Sequence, residues 1–332
     1  MQHTWRFIMK KHILIFAAAF FAVCSLFAGG NKDNSTANSG APKIVTTIFP
    51  EYDWVTNILG QNPANAELTM LLSSGADLHS YQPTVADIMK VSTCDLFIYV
   101  GGESDRWVDD ALKEAVNKNM VVINLLETLG DKVKEEEIVE GMQGEDEEEE
   151  AGYDEHVWLS LKNAAVLCDA IADAVCKIDA PNAAVYKANA AAYIAKLNAL
   201  DAKYAEAVAS AAVKTVLFGD RFPFRYLVDD YGLSYYAAFV GCSAETEASF
   251  ETIAFLAKKV DELSLGTILT IEGNNHKIAQ TIAQNTKAKN QKILMLDSMQ
   301  SVTSKDVKNG ANYLSIMETN LETLKTALGA SK

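Results

Sequence analysis

The sequence is poor in cysteine and lacks the short motifs that identify common enzymes. Only five cysteines occur in 332 residues, and none forms a CxxC pair. A disulfide scaffold is therefore excluded. The cysteines Cys94, Cys168, Cys176 and Cys242 are interpreted mainly as small apolar residues, and their disulfide state stays open. The chain also has no His-Glu-x-x-His pair, no Gly-x-Ser-x-Gly elbow and no phosphate-binding glycine motif.

A long apolar run is also missing. The run from Ile13 to Val23 is too short to cross about 30 Å of hydrocarbon. Basic residues precede it and small residues follow it, which predicts a secretory signal peptide over residues 1–30. Cys24 stands where a bacterial lipoprotein would carry its lipid, whereas cleavage after Ala28 would remove it. The mature protein is expected to be exported, either periplasmic or anchored on the outer face of the cytoplasmic membrane.

Positive charge is scarce. The chain has 29 Lys and Arg against 44 Asp and Glu, and the net charge of −15 argues against nucleic acid as a partner. Twelve of the acidic residues lie between Glu135 and Glu155, where Lys and Arg are absent. Self-repulsion and interspersed glycines predict a mobile acidic loop over residues 135–155. It is either a solvated insertion or a weak, non-specific collector of cations.

The hydrophobic content of 49% is enough for one large or two medium domains. After a polar linker over residues 31–41, apolar β-rich runs alternate with helical patterns, which predicts an α/β fold. We expect two βα lobes, 42–180 and 213–332, each with a mainly parallel four-stranded sheet. The predicted strands are Lys43–Phe49, Glu67–Leu72, Asp95–Val100, Met120–Leu125, Thr215–Phe218, Leu233–Phe239, Thr267–Glu272 and Lys292–Leu296.

An Ala-rich stretch from Asn182 to Ala212 separates the two sets of strands. Its larger apolar residues recur on one helical stripe, so a long rigid helix over residues 181–212 should join the lobes. About 30 residues would run roughly 45 Å. Because open α/β sheets bind ligands beyond the carboxyl ends of their strands, we expect the functional side chains just after strands, in a cleft between the lobes.

Three histidines remain after the signal region, and two of them stand in distinctive segments. His79 follows the predicted strand that ends at Leu72, and His156 lies where the acidic loop meets the next helix. A lone loop histidine is usually a surface residue. Two histidines near strand ends together favour a metal site, because imidazole nitrogen is a common metal ligand.

At this point the sequence resembles the zinc- and manganese-binding family of ABC-importer solute-binding proteins, over nearly the whole mature chain. The resemblance rests on the residues 44–50, on His79 ahead of Tyr81-Gln82-Pro83, and on the segment Asp154 to Ser160 around His156. The family has proline where Glu155 stands here. The resemblance implies that His79 and His156 are metal ligands from the N-terminal lobe.

The resemblance also implies a carboxylate ligand at the end of the last strand, which Asp297 would supply. It places Arg221 where the family has a histidine or glutamate ligand, and arginine cannot ligate a cation. Asp220 could take that role by a small shift, or Glu272 could enter from another strand end. Alternatively, Arg221 pairs with Asp220, Glu272 or Asp297, and water completes the metal shell.

The expected function is capture of a divalent transition metal, most simply zinc, and its delivery to the membrane permease of an ABC importer by a monomeric protein. A manganese- or iron-binding member of the same family is the nearest alternative. A surface adhesin with an incidental metal belongs to another class. Two histidines and a carboxylate would also suit a zinc hydrolase, but the missing catalytic motifs favour a protein that is not an enzyme.

Overall fold

The computed structural model describes residues 40–143, 152–243, 247–273 and 276–330. The predicted signal peptide, Cys24 and most of the polar linker lie outside these residues. None of the described helices is both long and apolar enough to cross a membrane. Residues 41–332 form one compact unit, so the two predicted lobes are parts of a single body.

The predicted α/β architecture is confirmed. The strands are β1 (Lys43–Thr46), β2 (Glu67–Met70), β3 (Leu96–Tyr99), β4 (Val121–Asn124), β5 (Thr215–Phe222), β6 (Ser234–Val240), β7 (Thr267–Thr270) and β8 (Lys292–Met295). They form two four-stranded sheets in the orders β2-β1-β3-β4 and β6-β5-β7-β8, and all neighbouring strands within these sheets are parallel. In the first sheet, Val45 of β1 lies between Thr69 and Phe97.

Helices follow the strands as parallel connections require. They are α1 (Phe49–Leu59), α2 (Val85–Thr93), α3 (Trp107–Lys113), α4 (Leu125–Leu129), α5 (Leu161–Ile178), α6 (Ala183–Ser210), α7 (Arg225–Tyr231), α8 (Phe250–Glu262), α9 (Lys277–Asn285), α10 (Ser304–Lys308) and α11 (Tyr313–Leu328). His79 lies within a short 3-10 helix, Leu78–Ser80. His156 immediately precedes another, Val157–Leu159.

Two strands end more than two residues from the predicted position, each for an identifiable reason. β1 stops at Thr46, not at Phe49, because α1 begins at Phe49 with Pro50 in its first turn, where the missing N–H costs nothing. β5 continues to Phe222, four residues beyond the predicted end. Its register against β6 shifts between Phe218 and Arg221, which marks a β-bulge.

Gly219 lies in this bulge and is required by close packing. A Cβ atom there would lie 2.5 Å from the Cα of Ala279 in α9. Only glycine lets the helix approach the strand so closely. The bulge then alters the direction of the side chains that follow it, including Arg221.

The long helix α6 has 28 residues, or about 42 Å. Its predicted apolar stripe is buried, including Tyr186, Tyr193, Leu197 and Tyr204. One hydrophobic core runs from the first sheet through α6 to the second sheet and α11. A second, smaller core lies between the second sheet and helices α8 and α9. The lobes therefore share most of their apolar interior.

A buried carboxyl group joins three of the elements that meet in the shared core. Asp53 Oδ2 in α1 accepts hydrogen bonds from the Tyr193 hydroxyl of α6 at 3.1 Å and from the Tyr313 N–H of α11 at 3.2 Å. Burial raises the pKa of Asp53 from 3.8 to about 6. Asn57 Nδ2 also donates to Asp53 Oδ2 at 3.1 Å, so the ionised form is held by three donors in a place that disfavours its charge.

We predict that Asp53→Asn changes how stability depends on pH. The folded pKa lies above the unfolded one, so this group's contribution is complete below pH 3.8 and is lost as pH rises through about 6. The asparagine side chain does not ionise, so the Asp53→Asn variant does not lose stability in this pH range. Its stability relative to the wild type should therefore rise by up to roughly 3 kcal/mol between those pH values.

Chemical denaturation in the presence of chelator, at several pH values, measures this difference. Asp53→Ala serves as the comparison, because it removes the acceptor as well as the charge and should be less stable than Asp53→Asn at neutral pH. A difference between Asp53→Asn and the wild type that does not change with pH would contradict the assignment.

Candidate metal centre

The two predicted histidines meet at the carboxyl ends of the first lobe's strands. His79 Nε2 and His156 Nε2 are 3.1 Å apart. Two ligands of a tetrahedral zinc ion, each at 2.0–2.1 Å, lie roughly 3.3 Å from one another. The separation of the two nitrogens therefore matches that of neighbouring ligands on one ion.

Each imidazole is oriented through its other nitrogen. His156 Nδ1 donates to Asp154 Oδ1 at 3.0 Å, and the same oxygen accepts the backbone N–H of His156 at 2.8 Å. His79 Nδ1 lies 2.8 Å from Ser104 Oγ and 3.5 Å from Glu155 Oε2. Oxygen partners on Nδ1 leave Nε2 for the metal, which is the usual arrangement around metal-bound histidines.

The two rings have opposite protonation tendencies. Burial and the neighbouring His156 lower the pKa of His79 to about 3, so its ring is neutral. Burial also acts to lower the pKa of His156, but the carboxylates of Asp154, Glu155 and Glu136 outweigh it and raise the pKa. Without a metal, His156 Nε2–H can donate to His79 Nε2. A proton then occupies the position between the nitrogens that a metal ion would take.

Excess negative charge surrounds the histidines. Asp154 and Glu155 are both at most 2% exposed. Glu155 Oε1 accepts the Ser104 N–H at 2.9 Å, whereas Glu155 Oε2 is buried without a hydrogen-bond partner among the described residues. Burial raises the pKa of Glu155 and of Glu136. Several buried carboxylates close together favour a cation in their midst.

The described residues close enough together to hold one ion are His79, His156 and Cys242, whose ligand atoms all lie within 4.8 Å of one another. Cys242 is the second residue after β6, in Gly241-Cys242-Ser243. This placement beside two imidazoles differs from the predicted role of Cys242 as a small apolar residue. Its position just after a strand end was the signal that could have identified it.

The predicted second-lobe carboxylates are not part of this close group, and each has other partners. Asp220 accepts backbone N–H groups of Arg221 at 2.9 Å and of Ile271 at 3.3 Å. Glu272 accepts from both the backbone and the hydroxyl of Ser298 at 2.7 Å, and from the backbone of Gln300. It thereby closes the loop that follows β8.

Asp297 lies in that same loop. Its Oδ1 accepts the Met299 N–H at 2.7 Å, and its backbone N–H and carbonyl both bond the Asn320 side chain at 2.8 Å. Burial and the neighbouring Glu272 raise the pKa of Asp297 to about 6. The adjacent Ser298 carbonyl accepts from Trp158 Nε1 at 2.9 Å, so this loop is fixed to the turn that follows His156.

The Arg221 guanidinium does not pair with any of the three predicted carboxylates. Its Nη2 lies 2.6 Å from Asp77 Oδ2, and its Nη1 donates to the Ser243 carbonyl at 3.2 Å. Asp77 Oδ1 accepts the His79 N–H at 3.0 Å and caps the 3-10 turn. The bulge in β5 and the charge of Asp77 therefore make Arg221 a link between the turn of His79 and the loop of Cys242.

The acidic segment is not free at its ends, contrary to the predicted mobile loop. Glu135 bridges to Tyr153, and the Gln143 N–H donates to the Ala238 carbonyl of β6 at 2.9 Å. Glu136 Oε1 accepts the Cys242 N–H at 3.1 Å. These backbone pairings outweigh the repulsion on which the prediction relied. The most acidic part, 144–151, lies outside the described residues.

Two parallel α/β lobes with paired imidazoles at their junction place the chain among two-lobed solute-binding proteins. A family model described as ZnuA, zinc-uptake complex component A periplasmic, matches residues 44–327. The chain belongs to this family, and the resemblance drawn from its motifs is confirmed.

Named relatives agree with this assignment. The zinc-binding lipoprotein AdcA of Streptococcus pneumoniae is 32% identical over 96% of this chain and 61% of its own length. The high-affinity zinc uptake system protein ZnuA of Bacillus subtilis is 29% identical over 95% of this chain and 97% of its own length. The crystal structure of the Zn(II)-bound ZnuA-like domain of S. pneumoniae AdcA is 30% identical with a TM-score of 0.69, covering 87% of this chain and 99% of that one. This chain thus spans 61% of the length of AdcA.

We predict that Arg221→Gln weakens the binding of Zn²⁺, used as a probe, by about tenfold, although arginine is not a ligand. The substitution releases the charged hydrogen bond to Asp77 and the bond to the Ser243 carbonyl, so the turn of His79 and the loop of Cys242 lose a shared support. Competition titration with a chromogenic chelator measures the affinity.

Arg225→Gln is the matched control, because Arg225 is similarly half-buried and pairs with Glu137 at 3.3 Å. Its affinity should stay within about twofold of the wild type. If both variants bind Zn²⁺ as the wild type does, Arg221 has no role in shaping the site.

Proposed function

We propose that this protein captures zinc outside the cytoplasmic membrane and delivers it to the permease of an ABC importer. The observation that carries the proposal is the 3.1 Å separation of His79 Nε2 and His156 Nε2, with both Nδ1 atoms engaged by oxygen. Family membership and the zinc-binding relatives support zinc over manganese or iron. The acidic segment near the site is consistent with cation collection.

The proposal is for a carrier and not for an enzyme. A catalytic zinc site needs an open coordination position beside a general base and a substrate pocket. Here the carboxylates near the imidazoles orient ring nitrogens or accept hydrogen bonds from backbone N–H groups. His156 is also fully buried. Such an arrangement suits holding an ion more than exposing it to a substrate.

His79→Ala and His156→Ala should each reduce zinc affinity at least tenfold, because the loss of one of three or four ligands costs at least about 1.4 kcal/mol. Isothermal titration with protein first stripped of metal measures this. His276→Ala is the histidine control, since His276 lies outside the close group, just before α9. Unchanged affinity in both ligand variants would overturn the proposal.

Asp297 is proposed as the carboxylate ligand from the second lobe. Asp297→Ala should lower zinc affinity at least tenfold, and Glu272→Gln is the neighbouring carboxylate control. Because Glu272 bonds the backbone and hydroxyl of Ser298, its variant should lose stability more than affinity. Thermal unfolding of the metal-free variants separates the two effects. A full-affinity Asp297→Ala would remove Asp297 from the ligand set.

A further inference from the structure

The Cys242 thiol lies beside the two imidazoles, and the family resemblance assigns it no role. Its ligand atom lies within 4.8 Å of those of His79 and His156. The other described cysteines have different surroundings. Cys94 and Cys168 are completely buried in the shared core, and Cys176 Sγ contacts the Ala183 carbonyl between α5 and α6.

The backbone on both sides of Cys242 is fixed. A Cβ atom on Gly241 would lie 2.9 Å from His156 Cε1 and 3.0 Å from the Phe222 carbonyl oxygen, so only glycine lets this turn pass against the ring. The Cys242 N–H donates to Glu136 Oε1, and the Ser243 carbonyl accepts from Arg221. The thiol is thus presented by a defined turn and not by a free loop.

Independent features of the same pocket point to a cation. The fully buried His156 directs Nε2 at His79 Nε2, and the buried Glu155 Oε2 has no hydrogen-bond partner among the described residues. Two imidazole nitrogens and one sulfur are a donor set that suits zinc and softer ions. Manganese and magnesium prefer oxygen.

We propose that Cys242 is a metal ligand, bound as a thiolate, and that it makes the site selective for Zn²⁺ over Mn²⁺. A thiol binds zinc in its deprotonated form, so the thiol proton is released to solvent when the metal–sulfur bond forms. The inference rests on the proposed zinc-binding function and specifies its ligand chemistry. It also gives Arg221 a role. Cys242, just after β6, supplies a donor from the second lobe. Arg221, which the resemblance places at the family's ligand position, supports the Cys242 turn through the Ser243 carbonyl.

Cys242→Ala tests the selectivity. Zinc affinity should fall at least tenfold while manganese affinity changes less than about threefold, so the ratio between the two metals drops. Cys176→Ser is the control, because Cys176 is a partly exposed cysteine in α5 and is not part of the close group. This variant should leave both affinities unchanged.

Spectroscopy tests the bond itself. The Co²⁺ complexes of the wild type and of Cys176→Ser should show a near-ultraviolet sulfur-to-cobalt charge-transfer band, which Cys242→Ser should lose. On the zinc-loaded wild type, X-ray absorption at the zinc edge should show a sulfur neighbour at about 2.3 Å. This second readout does not depend on the folding of a variant.

A wild type that binds zinc tightly, lacks the cobalt–sulfur band and shows no sulfur neighbour of zinc would overturn the thiolate ligand alone. A Cys242→Ala variant with wild-type zinc affinity would do the same. A wild type that does not bind zinc at all would overturn the proposed function, and the thiolate inference would fail with it.

Discussion

The site depends on two imidazole nitrogens, His79 Nε2 and His156 Nε2, that point at one another across 3.1 Å. Two unprotonated nitrogens in this position would direct their lone pairs at one another, so the arrangement requires a positive centre between them, either a proton or a metal ion. Asp154 and Ser104 fix the rings from behind, and the carboxylates of Asp154 and Glu155 favour the positive charge. A metal ion can therefore replace the proton with little rearrangement of either ring.

Such a pair stays in place only if the elements that carry it cannot drift. The turn after His156 places Trp158 in the shared core, where its Nε1 donates to the Ser298 carbonyl and its own carbonyl accepts from the Tyr313 hydroxyl at 2.6 Å. Ser298 belongs to the second lobe's last loop, and Tyr313 begins α11. Because the interior is continuous along α6, the lobes support the histidines together as one packed unit.

The sequence was sufficient for the fold and for two members of the close group. Alternating apolar runs predicted eight strands, and the apolar stripe predicted α6, because both depend on local periodicity. His79 and His156 could be predicted because each stands in a short motif. The bulge in β5 and the partner of Arg221 could not be predicted, since each depends on how distant segments meet: Asp77 lies 144 residues from Arg221 in the chain.

The arginine beside a cation site is explained by the charges around it. A guanidinium in place of a ligand would repel a bound metal ion, and that repulsion is strong where water is excluded. The Asp77 carboxylate forms an ion pair with the guanidinium, with Oδ2 2.6 Å from Arg221 Nη2. Asp154, Glu155 and Glu136 add further negative charge on the side of the histidines. The site can therefore hold arginine and a divalent ion together, because the buried carboxylates outnumber the single fixed positive charge.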